Sequence, residues 1–421
     1  MTSDGPFRAA KSPPLRRYSR SRLAGRLVDR IIPQPQAGVL QIVLPTGAQV
    51  ERTASGGGSD ARIVFRRWRG LARIVLGGGN GFARGYIEGD WSTPDLGTLL
   101  AFFMRNETAF KPRSSGSWWS CAWERLRHRL RDNSRRGSRR NVAAHYDLGN
   151  AFYRKWLDAG MNYSSAIRDG SQTLEQAQDA KLDRIASLLE LSAGQHVLEI
   201  GCGWGALAEI ILRRHSCSVT GITLSREQLD YVARRLGAEV ADGRASFRLL
   251  DYRDLKGRFD RVVSIEMLEA VGERYWRSYF QTLSRSLVDG GIAVLQVITI
   301  DESRFERYRR RPDFIQRSIF PGGMLPTASA IRDGAAKAGL SIAQHEAFGE
   351  SYAWTLAEWR TRFLSAWTSI EAMGFDQHFQ RLWVYYLTYC EIGFRFQAVN
   401  VRLFKLIKQA GAAPAAAGDG T

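Results

Sequence analysis

In the stretch Val197-Leu-Glu-Ile-Gly-Cys-Gly-Trp-Gly205 a short apolar run ends in glycine at every second position. Val197 to Ile200 reads as a buried strand, Gly201, Gly203 and Gly205 as a loop, and Ala206 to Arg213 as the helix that follows. Glycines so spaced let backbone approach a ligand at a strand's carboxyl end, where the free N–H groups of a helix start also point. Such a turn suits a nucleoside-bearing cofactor, although it also serves tight strand-to-helix packing. It is not the dinucleotide fingerprint, because the third glycine comes one residue early and an acid, Glu199, precedes the first.

Around this turn strands alternate with helices, the pattern of an α/β fold. Strands are predicted at Val197 to Ile200, Ser218 to Ile222, Ser246 to Leu250, Arg261 to Ser264, Ile292 to Ile298 and Leu340 to His345. Helices are predicted at Leu174 to Leu189, Arg226 to Leu236 and Tyr275 to Ser286, with Gly290-Gly291 turning into the fifth strand. Residues 38–110 read as a separate small α+β domain. Its strands are expected at Leu40 to Leu44, Ala61 to Phe65 and Leu71 to Leu76, with Gly56-Gly-Gly and Gly77-Gly-Gly as turns and a helix start in Ser92-Thr-Pro-Asp-Leu96.

Residues 1–37 form a basic tail, rich in Arg, Ser and Pro and expected to be disordered; 411–421 are expected to form a flexible Ala/Gly tail. The first thirty residues carry eight Arg or Lys without the apolar run of a signal peptide. Residues 111–144 are the most basic segment, a linker or amphipathic helix, with eight arginines between Arg125 and Arg140 and Trp118, Trp119 and Trp123 before them. A net charge of +18 requires a polyanionic partner to be considered, and the interleaved tryptophans favour an anionic membrane surface over nucleic acid. No run of 18 apolar residues exists, so no transmembrane helix is expected. The four cysteines, Cys121, Cys202, Cys217 and Cys390, have no C-x-x-C spacing and do not cluster with histidine, which argues against a metal site and against a disulfide framework.

The glycine stretch resembles motif I of S-adenosylmethionine-dependent methyltransferases, E/D-x-G-x-G-x-G. Further stretches are His145-Tyr-Asp-Leu-Gly-Asn150, Met161-Asn-Tyr-Ser-Ser-Ala166, Gly221-Ile-Thr-Leu-Ser-Arg-Glu-Gln228, Leu250-Asp-Tyr-Arg-Asp-Leu255, Ser264-Ile-Glu-Met-Leu-Glu-Ala-Val-Gly272, Ile319-Phe-Pro-Gly-Gly-Met-Leu-Pro326 and Tyr389-Cys-Glu-Ile-Gly-Phe-Arg395. In this order and spacing they resemble the cyclopropane-fatty-acyl-phospholipid synthase family from His145 to about Phe404, within a domain expected over residues 145–410, and the domain from Gly38 resembles that family's N-terminal extension. The resemblance implies a class I methyltransferase domain, doubly wound around a mostly parallel seven-stranded sheet, with S-adenosyl-L-methionine as cofactor. Carried over by position, Tyr163 and Ser164 lie over the methionine end, with Gly201 and Gly203 beneath it and Glu199 and Gly205 in the same loop. Thr223 and Gln228 serve the ribose or amino acid side, Tyr252 lies near the adenine, and Asp251 counts among the cofactor-binding residues. Gly221-Ile-Thr223 stands where an ordinary methyltransferase places an acid, a departure that agrees with this family.

The family's reaction alkylates a carbon–carbon double bond, a poor nucleophile that must be held in line with the sulfonium methyl in a dry pocket. The aromatic faces of Tyr352, Tyr385, Tyr386 and Phe394 are candidates for stabilising the cation, or simply core. A base then takes a proton, from the added methyl to close a ring or from a neighbouring carbon to leave a branched alkene. In the family that base is bicarbonate in a polar cage. The resemblance assigns to the cage Glu269, the Ile298 backbone and Tyr352, together with Ser165 where Cys is common and Gln296 where His is common. Those two replacements keep hydrogen-bonding capacity but lose a histidine's charge, which puts bicarbonate use in question. Glu269 as a helix cap, Gln296 as a core amide, Cys390 as a buried small residue and His145 as a structural residue are the plainer readings.

The resulting expectation is an enzyme that modifies unsaturated phospholipid acyl chains, cytoplasmic and peripherally associated with the inner face of the membrane, narrowly favouring a cyclopropane over a methyl-branched or methylene product. A homodimer is left open. A methyltransferase for another substrate and a non-catalytic lipid-binding protein are the alternatives. Nucleic acid is disfavoured because the Asn/Asp-Pro-Pro-Tyr type of tetrapeptide is absent.

Overall fold

The computed structural model describes Val28 and residues 32–54, 57–58, 60–110 and 148–411. The expectations for residues 111–144, for most of 1–37, for 412–421 and for His145 to Asp147 lie outside the described residues. The chain divides into two compact units, one up to Lys111 and one from Pro112.

In the first unit, β1 (Val39–Val43), β2 (Gln49–Thr53), β3 (Ala61–Phe65) and β4 (Trp91–Ser92) form a sheet in the order β2-β1-β3-β4. The alternation is clear: Leu40 and Ile42 of β1, and Ala61, Ile63 and Phe65 of β3, are buried. Helix α2 (Leu96–Arg105) is capped by Asp95, whose side chain accepts from the Thr98 N–H.

The expected strand at Leu71 to Leu76 is instead helix, part of α1 (Trp68–Ile87), which is broken at Gly78, where φ is 53°. A helical phase brings Arg69 and Arg73, four residues apart, onto the same buried carboxylate, Asp90, with Nε and Nη1 at 2.5 and 3.0 Å. Val75 and Leu76, at the end of the expected strand, are exposed. That charge anchor outweighs the strand propensity of Ile74 and Val75.

The second unit is built on seven strands: β5 (His196–Ile200), β6 (Ser218–Thr223), β7 (Ala245–Leu249), β8 (Phe259–Ile265), β9 (Leu287–Ile300), β10 (Leu340–Ala347) and β11 (Val399–Lys408). Their order is β10-β11-β9-β8-β5-β6-β7; β11 runs antiparallel to both neighbours and the other pairings are parallel. One face of β5, Leu198 and Ile200, packs with Val262, Leu295 and Phe404, while Val197 packs with Ile211, Val219 and Val263 on the other. A strand buried on both faces must be apolar nearly throughout, and this made β5, β6 and β9 readable.

The helices are set by local signals. Helix α3 (Leu174–Leu189) starts with a capping box between Thr173 and Gln176, α4 (Ala206–Arg214) follows Gly205, and α5 (Arg226–Arg235) is capped by Ser225. Strand order reverses between β5 and β8, and in an open α/β sheet the crevice at the carboxyl ends of such a pair is where ligands sit. Two long helices, α6 (Gly349–Ser365) and α7 (Gln377–Arg395), pair with each other after β10, and α7 leads into β11.

Candidate active site

The glycine loop leaves β5 at this reversal. The amides of Gly201 and Cys202 both donate to the Ile222 carbonyl, at 2.9 and 3.1 Å, which ties the loop to β6. Gly201, Gly203 and Gly205 all have positive φ, at 83°, 52° and 85°. A Cβ on Gly201 would lie 2.4 Å from Met267 Sδ and one on Gly205 2.4 Å from Val232 Cγ2, whereas one on Gly203 would meet nothing within 4 Å. The loop is therefore packed at both ends and bare in the middle.

Glu199 lies behind the loop, 3% exposed. Burial pushes its pKa up to about 8 against the opposing charge of Lys181, and its Oε2 has no hydrogen-bond partner among the described residues. An open glycine backbone, a helix start and an orphaned buried carboxylate oxygen fit a ligand with a cationic amino acid end, as S-adenosylmethionine has.

Thr223 ends β6, and its hydroxyl donates to Gln228 Oε1 at 2.8 Å and accepts from the Ser225 N–H at 3.1 Å. The lack of a side chain at Gly221 is enforced, since a Cβ there would come within 2.6 Å of the Phe247 ring. Tyr252 is buried, its ring 5.5 Å from that of Tyr279. Asp251 is turned to Arg253, which donates from Nε at 2.8 Å and Nη2 at 2.6 Å.

The Tyr163 hydroxyl meets that of Tyr386 at 3.0 Å, and its ring lies among Tyr153, Trp156 and Trp359 at 5.4 to 5.6 Å. Ser164 Oγ accepts from Lys181 Nζ at 2.9 Å. Lys181 is buried, and desolvation lowers its pKa to about 8 although Asp158, Glu266 and Glu199 face it. Trp204 Nε1 donates to Asn150 Oδ1 at 2.6 Å, which fixes the loop's indole.

Ser165, Gln296, Ile298, Glu269 and Tyr352 are brought together, but around a residue to which the sequence assigned no role. Glu266 follows β8 directly, with φ at 52°. That left-handed conformation costs a residue with a Cβ roughly 1–3 kcal/mol, and it is held by the Glu266 N–H donating to the Gln296 carbonyl at 2.8 Å. Glu266 Oε1 accepts from the Ser165 N–H at 2.9 Å and from Gln296 Nε2 at 2.8 Å, and Oε2 accepts from the Tyr352 hydroxyl at 2.8 Å. Burial raises its pKa, and these three bonds and Lys181 oppose the rise.

Glu269 accepts from the Ile298 N–H. Burial, then the charge of Glu266, pushes its pKa up to about 8, and its Oε2 has no hydrogen-bond partner among the described residues. Ser165 takes part through its backbone; its hydroxyl donates instead to the Ala166 carbonyl at 2.8 Å. The Gln296 amide, the Tyr352 hydroxyl and the Ile298 N–H, donors expected to hold a bicarbonate, are thus engaged by two carboxyl groups of the chain itself, and the arrangement does not fit a further anion on those donors.

Of the four aromatic candidates, Phe394 lies 4.5 Å from Tyr352, and Tyr386 is bonded to Tyr163. Tyr385 packs elsewhere, on Phe314 at 4.9 Å and Tyr389 at 6.1 Å. The functional candidates missed from sequence are Glu266 and Lys181. The available signal for Glu266 was an acid directly after an apolar strand at the carboxyl edge of the sheet.

The family described as mycolic acid cyclopropane synthetase matches residues 133–404. A tuberculostearic acid methyltransferase of Mycobacterium tuberculosis is 37% identical over 84% of this chain and 85% of its own length. The cyclopropane-fatty-acyl-phospholipid synthase of Escherichia coli is 31% identical over 85% of this chain and 90% of its own. Among solved structures, a mycolic acid cyclopropane synthase complexed with SAH and CTAB is 29% identical, with a TM-score of 0.60, over 64% of this chain and 98% of that one. With the glycine loop at the sheet's reversal point and relatives of this kind, the chain belongs to the mycolic acid cyclopropane synthetase family and is an S-adenosylmethionine-dependent methyltransferase that modifies lipid acyl chains.

Proposed function

We propose that the protein adds one carbon to the double bond of an unsaturated fatty acyl chain carried by a membrane phospholipid. The observation that carries this reading is the joining of a cofactor loop to a buried site that holds a carboxylate, a tyrosine hydroxyl and aromatic rings. An alkene supplies its own electron pair, so the enzyme needs an electrophile, a dry wall and a base.

S-adenosylmethionine supplies a methyl group activated by a positively charged sulfur. Glu199, Gly201, Gly203 and Gly205 are assigned to its amino acid end with Tyr163 and Ser164, while Thr223 and Gln228 are assigned to the ribose side and Asp251 and Tyr252 to the adenine. Buried Trp156, Trp359 and Trp383 exclude water. The rings of Tyr352 and Phe394 face the cation that alkylation leaves. Glu269, Gln296, Ser165 and the Ile298 amide fix the polar end of the site.

Ring closure, the narrow expectation from sequence, competes here with a methyl-branched or methylene product. The relative at 37% identity is named a methyltransferase and the one at 31% a cyclopropane synthase, and the cage carries Ser165 and Gln296. These differences favour the branched or methylene product.

No helix among the described residues is long and apolar enough to cross a membrane. The charge of +18 supports attraction to an anionic leaflet and a peripheral enzyme. The test is transfer of labelled methyl from S-adenosylmethionine to vesicles of unsaturated phosphatidylglycerol, with RNA and DNA as competitors. Label in the acyl chain supports the reading, and label confined to nucleic acid overturns it.

A further inference from the structure

The cage is already filled by the protein. Glu266 Oε1 receives the Ser165 N–H and the Gln296 amide, and Oε2 receives the Tyr352 hydroxyl. These donors come from a loop before α3, from β9 and from α6, three separate parts of the chain. A carboxylate offers about four lone-pair positions, so three donors leave one at Oε2 for an incoming proton. The remaining expected donor, the Ile298 amide, is bonded to Glu269. Glu266 holds this place at the cost of a left-handed backbone that glycine would adopt freely. A strained acid whose carboxylate is bonded to donors expected to grip a free anion is a substitute for that anion.

We infer that Glu266 is the base of the reaction: its carboxylate stands in for bicarbonate and accepts the proton released by the alkylated chain. The inference rests on the reading above as an acyl-chain alkylating enzyme. In the step, the alkene pair forms the new carbon–carbon bond to the methyl carbon as the carbon–sulfur bond breaks, its pair going to sulfur. A C–H bond of the added methyl or of a carbon beside the cation then breaks, its pair closes the ring or the new double bond, and the proton passes to Glu266. Buried Lys181 and neighbouring Glu269 are charged or titratable groups beside this carboxylate, and together with the Ser165 N–H, the Gln296 amide and the Tyr352 hydroxyl they set its basicity. Burial makes it a stronger base than a surface glutamate.

The test uses the full chain with vesicles of unsaturated phosphatidylglycerol and S-adenosylmethionine, in carbonate-depleted buffer and with added bicarbonate. The wild-type rate is expected to be the same in both. Glu266→Gly, which suits the local φ, is expected to lose about 100-fold or more in kcat, to keep cofactor binding by calorimetry, and to regain part of the rate with bicarbonate or formate. Glu266→Gln, nearly the same shape, is expected to be as slow and not rescued. A wild-type rate that rises several-fold with bicarbonate, or a Glu266→Gln enzyme at the wild-type rate, overturns the inference while leaving the function standing. A wild type that methylates no lipid in either buffer overturns the functional reading and this inference with it.

Discussion

The Tyr352 hydroxyl donates to Glu266 Oε2 at 2.8 Å, joining helix α6 to the residue that follows β8. Burial, followed by the charge of Glu266, raises the phenol's pKa well above its usual value, so the tyrosine stays a donor throughout the accessible pH range. Its ring lies 4.5 Å from that of Phe394. One side chain thus orients the carboxylate and, in the proposed reaction, lines the space for the acyl chain.

Tyr352→Phe keeps the ring and removes this donor. A hydrogen bond to a charged group contributes about 1.5–3 kcal/mol, so kcat is expected to fall roughly 10- to 100-fold with little change in cofactor affinity. Because this bond holds the Glu266 pKa down, its loss moves the rise of activity to higher pH. A pH profile of kcat for both enzymes reads this shift; an unmoved profile contradicts the assigned partnership.

Glu269 provides a test of stability against pH. The folded protein keeps its proton up to about pH 8, while the unfolded chain releases it near 4.5. Between those values the folded state binds more protons, so this residue's contribution is fully present below the unfolded pKa and is lost as pH rises through 8. Glu269→Gln is therefore expected to flatten the fall in Tm between pH 5 and pH 8 while lowering activity. Thermal melts across that range check it, and a variant with the same slope as wild type counts against the buried carboxyl.

The glycine loop separates packing from binding. Gly203→Ala meets no protein atom and costs only the strain of a positive φ, roughly 1–2 kcal/mol, so its main effect is expected on S-adenosylmethionine affinity, by tenfold or more. Gly201→Ala collides with Met267 and is expected to lower Tm further. Calorimetric titration and melts on both variants distinguish the two, and equal losses of affinity and Tm would falsify the assignment of Gly203 to the ligand.

Much of the sheet was legible because parallel strands buried on both faces leave a simple apolar trace, as in Val197 to Ile200 and Ile292 to Ile298. Strand β11 was not read, since Arg402, Lys405 and Lys408 interrupt its apolar residues; Lys408 is nonetheless buried, donating to the Leu287 carbonyl at 2.9 Å. Helix α7 was missed because its buried aromatic residues, Trp383, Tyr385, Tyr386 and Phe394, spread around much of its circumference, which blurs a helical period; α6 was also missed, although Tyr352, Leu356, Trp359 and Phe363 keep one. Leu71 to Leu76 was misread because the distant Asp90 fixes its phase.

The expected cage residues Ser165, Gln296, Ile298, Glu269 and Tyr352 do converge in the fold. The role proposed for Glu266 was not legible, because the left-handed turn that aims an acid after β8 at Ser165, Gln296 and Tyr352 exists only in three dimensions.

The most direct measurement is mass spectrometry of phospholipid acyl chains from cells that express the protein and are fed methionine with a fully deuterated methyl group, beside cells that do not express it. The account predicts unsaturated acyl chains that gain one methionine-derived carbon: two retained deuterons place the departing proton on the added methyl, and three place it on a neighbouring carbon. Phospholipids without label, from a protein that binds S-adenosylmethionine tightly, would contradict the account and assign the methyl group to another substrate.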